Sequence, residues 1–166
     1  MSHISHNTLT EPIAVAGFQV RTSNAAELSG TGKIGALWQR FFTENLLSQI
    51  PHQASDSLYV VYSNYESDEH GEYDYLLGTP VSSVSNLPAG VTFAAIATGR
   101  YTVVATERGP VAEMVMGTWK EIWQMPVEEL GGKRAFLTDY EVYGERATDP
   151  NSAIVEIHLG LEPGLD

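Results

Sequence analysis

The chain has 166 residues, 43% of them hydrophobic, which is enough apolar material for one globular domain with its own core and requires no second. It has no cysteine, so disulfide scaffolds, thiolate metal sites and cysteine nucleophiles are excluded together. Twenty-one acidic against nine basic residues give a formal charge of −12, a field that repels phosphate backbones and attracts cations, although an acidic surface also serves plain solubility.

No apolar run is long enough to cross a bilayer, and no basic-then-apolar start reads as a secretory signal. The expected compartment is therefore the cytoplasm, with neither a membrane nor nucleic acid as a direct partner. Residues 1–11 are polar and read as a flexible tail, in which His3 and His6 are too weakly anchored to hold a metal. Residues 12–166 read as the single domain.

From Pro12 to Val20, Ile13, Val15 and Gly17 alternate with Ala14, Ala16 and Phe18, a strand apolar on both sides and so internal to a sheet. Thr22 to Gly32 is rich in Ser, Thr, Asn and Gly and reads as a loop. Ile34, Leu37, Trp38, Phe41 and Phe42 then form a helical stripe, predicting a helix over Lys33–Leu47. After Pro51, Ser57–Tyr62 and Glu72–Val81 predict a hairpin around Ser67–Gly71, and Asn86–Gly90 a connector. Phe93–Ala97 leads into a strand over Tyr101–Thr106.

Gly109-Pro110 stops that strand and starts a helix. Proline is tolerated at a helix's first turn, where its missing N–H has no intrahelical partner. Ala112, Val115, Met116, Trp119, Ile122 and Trp123 form the apolar face, Glu113, Thr118, Lys120, Glu121 and Gln124 lie opposite and suit water, and Pro126 ends the helix. Strands over Ala135–Tyr143 and Ala153–Leu159 follow, separated by a turn at Thr148–Asn151.

The two halves repeat the order strand, helix, strand, strand, over about residues 12–86 and 91–160. Leu37-Trp38 matches Thr118-Trp119, Tyr62-x-x-Tyr65 matches Tyr140-x-x-Tyr143, and Tyr73–Gly78 matches Val155–Gly160. The expected fold is thus α+β: two units related by a pseudo-twofold axis, one antiparallel sheet, both helices on one face, and a groove between the units, where ligand pockets tend to form. In this alignment Glu141 stands opposite Ser63, so such a pocket holds one carboxylate.

These residues resemble the effector-binding domain shared by AraC-type and MerR-type transcription regulators and by stand-alone gyrase-inhibitor-like (GyrI-like) proteins. The resemblance runs through Leu87-Pro88-Ala89-Gly90, Ile96–Val103, Trp119-x-x-Ile122-Trp123, Asp139–Tyr143 and Ile154–Ile157, covering the chain from Ile13 onward. It implies a stand-alone sensor or sequestering protein that needs no cofactor, and with no G-x-S-x-G, H-E-x-x-H or Gly-rich phosphate loop in the sequence the expectation is that it is not an enzyme. Its ligands would be amphipathic, drug-like cations, held in a groove with a glutamate at the position of Glu141. The chain departs from the family after the second helix, where Val127–Gly132 replaces the usual Ser-Gly-Tyr, and at His158-Leu159-Gly160.

The residues support that chemistry on their own terms. Indole and phenol faces attract cations by ~0.5–2 kcal/mol, and a buried carboxylate adds a directional charge. The candidate ligand contacts are Glu141, Trp119, Trp123, Tyr75, Tyr143 and Trp38; Trp38 stands nearest to the alternative of plain core packing, and Glu141 to that of a solvated strand residue. Two other functions stay open: a small hydrolase using Glu141 with a tyrosine, and an acidic protein-interaction module of gyrase-inhibitor type. The chain shows no helix-turn-helix before Ile13, so any DNA contact would pass through a separate DNA-binding protein, with a homodimer as the other expected assembly.

Overall fold

Twelve helices and strands build the protein, described over residues 3–164 of a computed structural model. In chain order they are β1 (His3–Leu9), β2 (Ile13–Ser23), α1 (Asn24–Ser29), α2 (Ile34–Thr43), β3 (Leu58–Ser63) and β4 (Glu72–Val81). Then come β5 (Thr92–Ile96), β6 (Gly99–Ala105), α3 (Val111–Gln124), α4 (Val127–Leu130), β7 (Arg134–Tyr143) and β8 (Glu156–Leu161). Among the described residues no helix is long and apolar enough to cross a membrane.

All eight strands join one sheet in the order β1-β6-β8-β7-β3-β4-β2-β5, with every pairing antiparallel. The order is symmetric about the β7/β3 seam: β6, β8 and β7 mirror β2, β4 and β3. Each flanking strand sits on the outside of the other half, β1 beside β6 and β5 beside β2. Only Ala97 and Thr98 connect β5 to β6, although the two strands lie toward opposite ends of the sheet. Three Cα–Cα steps span at most about 11 Å. The sheet must therefore curl until its ends approach. The link is tied down where Ala97 N donates to Thr138 Oγ1 (3.0 Å) and Tyr101 Oη donates to the Ala97 carbonyl (2.6 Å).

Strand alternation divides the buried residues between two cores. Val60 and Tyr62 of β3, Leu77 of β4 and Ile157 and Leu159 of β8 face α2 and α3, packing with Leu37, Phe41, Trp119 and Ile122. Val61, Leu76, Val15, Ile96, Tyr101 and Tyr140 fill the inside of the curl. Both long helices thus cover one face, as the sequence predicts.

Several expectations are corrected. The predicted tail is a strand: residues 3–9 pair with β6 along their whole length, because backbone hydrogen bonds recruit a segment whose side chains stay mostly exposed. The predicted loop at 22–32 contains α1, whose first turn is capped by Ser23 Oγ accepting from Ala26 N (3.1 Å) and which ends at Gly30 with φ 87°. α2 stops at Thr43, before the expected Leu47, since Asn45 turns left-handed and the chain tightens into a 3₁₀ turn. The last strand starts at Glu156 rather than Ala153, which makes an isolated bridge to Gly109.

The alignment of Tyr62 with Tyr140 and of Ser63 with Glu141 is also off by one. Tyr62 faces the helices and Tyr140 the opposite core, and a one-residue slip exchanges the faces of a strand. The residue directly across the ladder from Glu141, on the same face, is Val60.

Candidate functional site

The central strands β3 and β7 form the floor of the groove between α2 and α3. On β7, Asp139, Glu141 and Tyr143 alternate toward the helices, so the i, i+2 spacing that could have left two acids in water carries both inward. Asp139 is 0% and Glu141 1% exposed.

Glu141 is held by three donors. Its Oε2 accepts from Tyr62 Oη (2.6 Å) and Trp119 Nε1 (2.7 Å), and its Oε1 from Tyr143 Oη (2.6 Å). Burial pushes its pKa above the ordinary 4.5, and the bonds from Tyr143, Tyr62 and Trp119 oppose that rise without cancelling it. The same burial, with the Glu141 charge beside them, pushes the Tyr62 and Tyr143 phenols well above 10, so both remain neutral donors.

The aromatic wall is itself interlocked. Tyr62 packs on Trp119 with centroids 5.1 Å apart and edge-on to Tyr75 at 5.2 Å. Trp38 Nε1 donates to Tyr75 Oη (2.8 Å), while its ring meets Tyr143 edge-on at 5.0 Å. These contacts leave a cavity of about 850 Å³, lined by Trp38, Phe42 and Ile34 from α2 and by Val111, Val115, Met116 and Trp119 from α3. Tyr62, Tyr75, Leu58, Glu141 and Tyr143 line it from the sheet.

The cavity therefore gathers Glu141, Trp119, Tyr75, Tyr143 and Trp38 of the candidate contacts. Trp123 lies one turn further along α3, its ring centroid 6.4 Å from that of Trp119, and lines an adjoining space of about 50 Å³ that shares Ile34, Tyr62, Met116 and Trp119 with the cavity. Tyr75 is one step removed from the carboxylate, bonding Trp38 instead of Glu141.

Sequence reasoning left Tyr62 open between a pocket wall and a strand aromatic, and it missed the second buried charge system. Asp139 Oδ2 accepts from Tyr65 Oη (2.5 Å) and pairs with Arg134 Nη2 (2.6 Å), while its Oδ1 accepts from Gly160 N (2.8 Å). A register shift in β7 between Arg134 and Asp139, with Phe136 at φ 51°, brings the arginine back over its own strand. No periodicity announces such a bulge; Phe136 gives no hint of a positive φ.

For the hydrolase alternative, Glu141 would act as base, yet both of its oxygens already accept side-chain hydrogen bonds. Among the described residues no group of three or more His, Asp or Glu side chains could hold a metal ion.

Comparison with known proteins agrees with this architecture. Residues 8–160 match the family described as Cass2, integron-associated effector binding protein. YobU of Bacillus subtilis (strain 168), a candidate transcriptional regulator, is 33% identical over 162 residues, covering 97% of this chain and 98% of YobU. The crystal structure of the Vibrio cholerae integron cassette protein VCH_CASS2 is similar with a TM-score of 0.73 and 30% identity, over 96% of this chain and 95% of that one. The structure of SAV2435 bound to tetraphenylphosphonium shares the fold, with a TM-score of 0.76 at 16% identity over 96% and 94% of the two chains.

Proposed function

The chain belongs to the Cass2 family of integron-associated effector-binding proteins, and on that premise we propose that it binds amphipathic organic cations in the groove between α2 and α3, with Glu141 as fixed counter-charge. The observation that carries this reading is a carboxylate 1% exposed, aimed by two phenols and an indole at an aromatic cavity of about 850 Å³. Three oriented donors hold the carboxylate ready before a ligand arrives, so little reorganisation is needed on binding. Indole and phenol faces then attract the same cation through their quadrupoles. The structural relative SAV2435, which binds tetraphenylphosphonium, adds support.

In this proposal the protein senses or sequesters its ligand, and any effect on transcription passes through a separate DNA-binding protein. The test is a fluorescence titration, read through Trp119 and Trp38, with tetraphenylphosphonium and with tetraphenylborate, which has nearly the same shape and the opposite charge. The cation binds and the anion does not. Glu141→Gln weakens the cation by about 1–3 kcal/mol, the range for a lost charge-assisted contact. An unchanged cation affinity in the variant would remove Glu141 from the account.

A further inference from the structure

Charged lining residues of the large cavity, among the described residues, are all acidic: Glu141 at the floor, and Asp56 and Glu145 at the mouth. The two mouth acids are placed by the β3–β7 ladder. Val60 lies across from Glu141 and Leu58 across from Tyr143, where the ladder ends. Beyond that last pair the chains run on through Ser57 to Asp56 on one side and through Gly144 to Glu145 on the other, and all four of these residues line the cavity. The seam thus leads from the buried carboxylate, past the Tyr143 ring and the Leu58 side chain, to two exposed carboxylates. Arg146, the basic residue next to Glu145, is turned away and pairs with Glu156 (3.1 Å).

We propose that the groove is a two-station site for elongated dications, with one cationic head at Glu141, an apolar linker along Leu58 and Tyr143, and the second head between Asp56 and Glu145. This deepens the proposed function and rests on it. Four residue steps, two along β7 and two beyond its end, lead from Glu141 to Glu145, so at ~3.3 Å per step their Cα atoms are at most about 13 Å apart. The stations also differ in strength. The Glu141 station is desolvated and little screened by salt, whereas the mouth acids face water and are screened.

The test titrates the full chain with n-alkyltrimethylammonium ions and with α,ω-bis(trimethylammonium)alkanes of increasing length. At low salt the dication should bind about 3–10-fold tighter than the monocation of matched chain length. That gain should peak where the ammonium centres stand about 10–13 Å apart and shrink as salt is added. The double variant Asp56→Asn/Glu145→Gln should lose the gain and keep its affinity for the monocation. A gain absent at every length, or one that survives the double variant, overturns the second station while leaving the Glu141 reading intact. If neither ion binds, the reading on which this proposal rests falls with it.

Discussion

At the scale of single residues, Glu141 is the centre of the account, and its protonation couples folding to ligand binding. Its folded pKa lies above the ordinary 4.5, chiefly through desolvation. Between those two values the folded chain holds a proton that the unfolded chain has released. The contribution to stability is therefore full below the ordinary carboxylate value and is lost as pH rises through the folded one. In urea unfolding from about pH 4 to about pH 8, the free wild-type protein should lose stability relative to Glu141→Gln as pH increases; a constant difference would show that the carboxyl titrates normally. Glu141 stood out as a candidate through the family resemblance and the comparison of the two halves, although Asp139 shares its strand face two residues away. The donor Tyr62 did not, since nothing in Tyr62-x-x-Tyr65 says which phenol faces the helices. Trp123 shares a stripe with Trp119, yet only Trp119 bonds the carboxylate, with Trp123 one turn further along the helix.

At the scale of elements, the longer periodic segments were readable. α3 follows from its apolar stripe between two prolines and matches the observed Val111–Gln124. β1 could not be read this way, because its side chains are mostly exposed and its strand conformation comes from pairing with β6. α1 has six residues, too few to show a period. The β2–β4 pairing depends on one close contact: Gly17 and Gly78 face each other, and a Cβ at Gly78 would collide with the Ala16 carbonyl. Gly78→Ala should therefore cost about 1–3 kcal/mol in denaturant unfolding, as overpacking does. No loss of stability would mean that the strands can separate there at little cost.

At the scale of the whole molecule, the strand order is symmetric about the β7/β3 seam, and the site lies on that seam with its acid on one side only, Glu141 facing Val60. We read the symmetry as an internal duplication within one domain, now including β1 and β5 as counterpart flanking strands. The formal charge of −12 acts over longer distances than the pocket does. It should speed the arrival of cations, so the association rate of tetraphenylphosphonium should fall as salt rises while its dissociation rate changes little. Glu141→Gln should keep that salt dependence, because one charge contributes little to the total field; loss of the dependence in the variant would mean that the pocket carboxylate alone steers the ligand. The pocket charge itself is tested most directly by tetraphenylphosphonium affinity as a function of pH, in wild type and in Glu141→Gln. Cation binding favours the ionised carboxylate, so wild-type affinity should rise with pH through the raised Glu141 pKa and then level off, while the variant stays weak and flat. Parallel profiles for the two proteins would contradict the account.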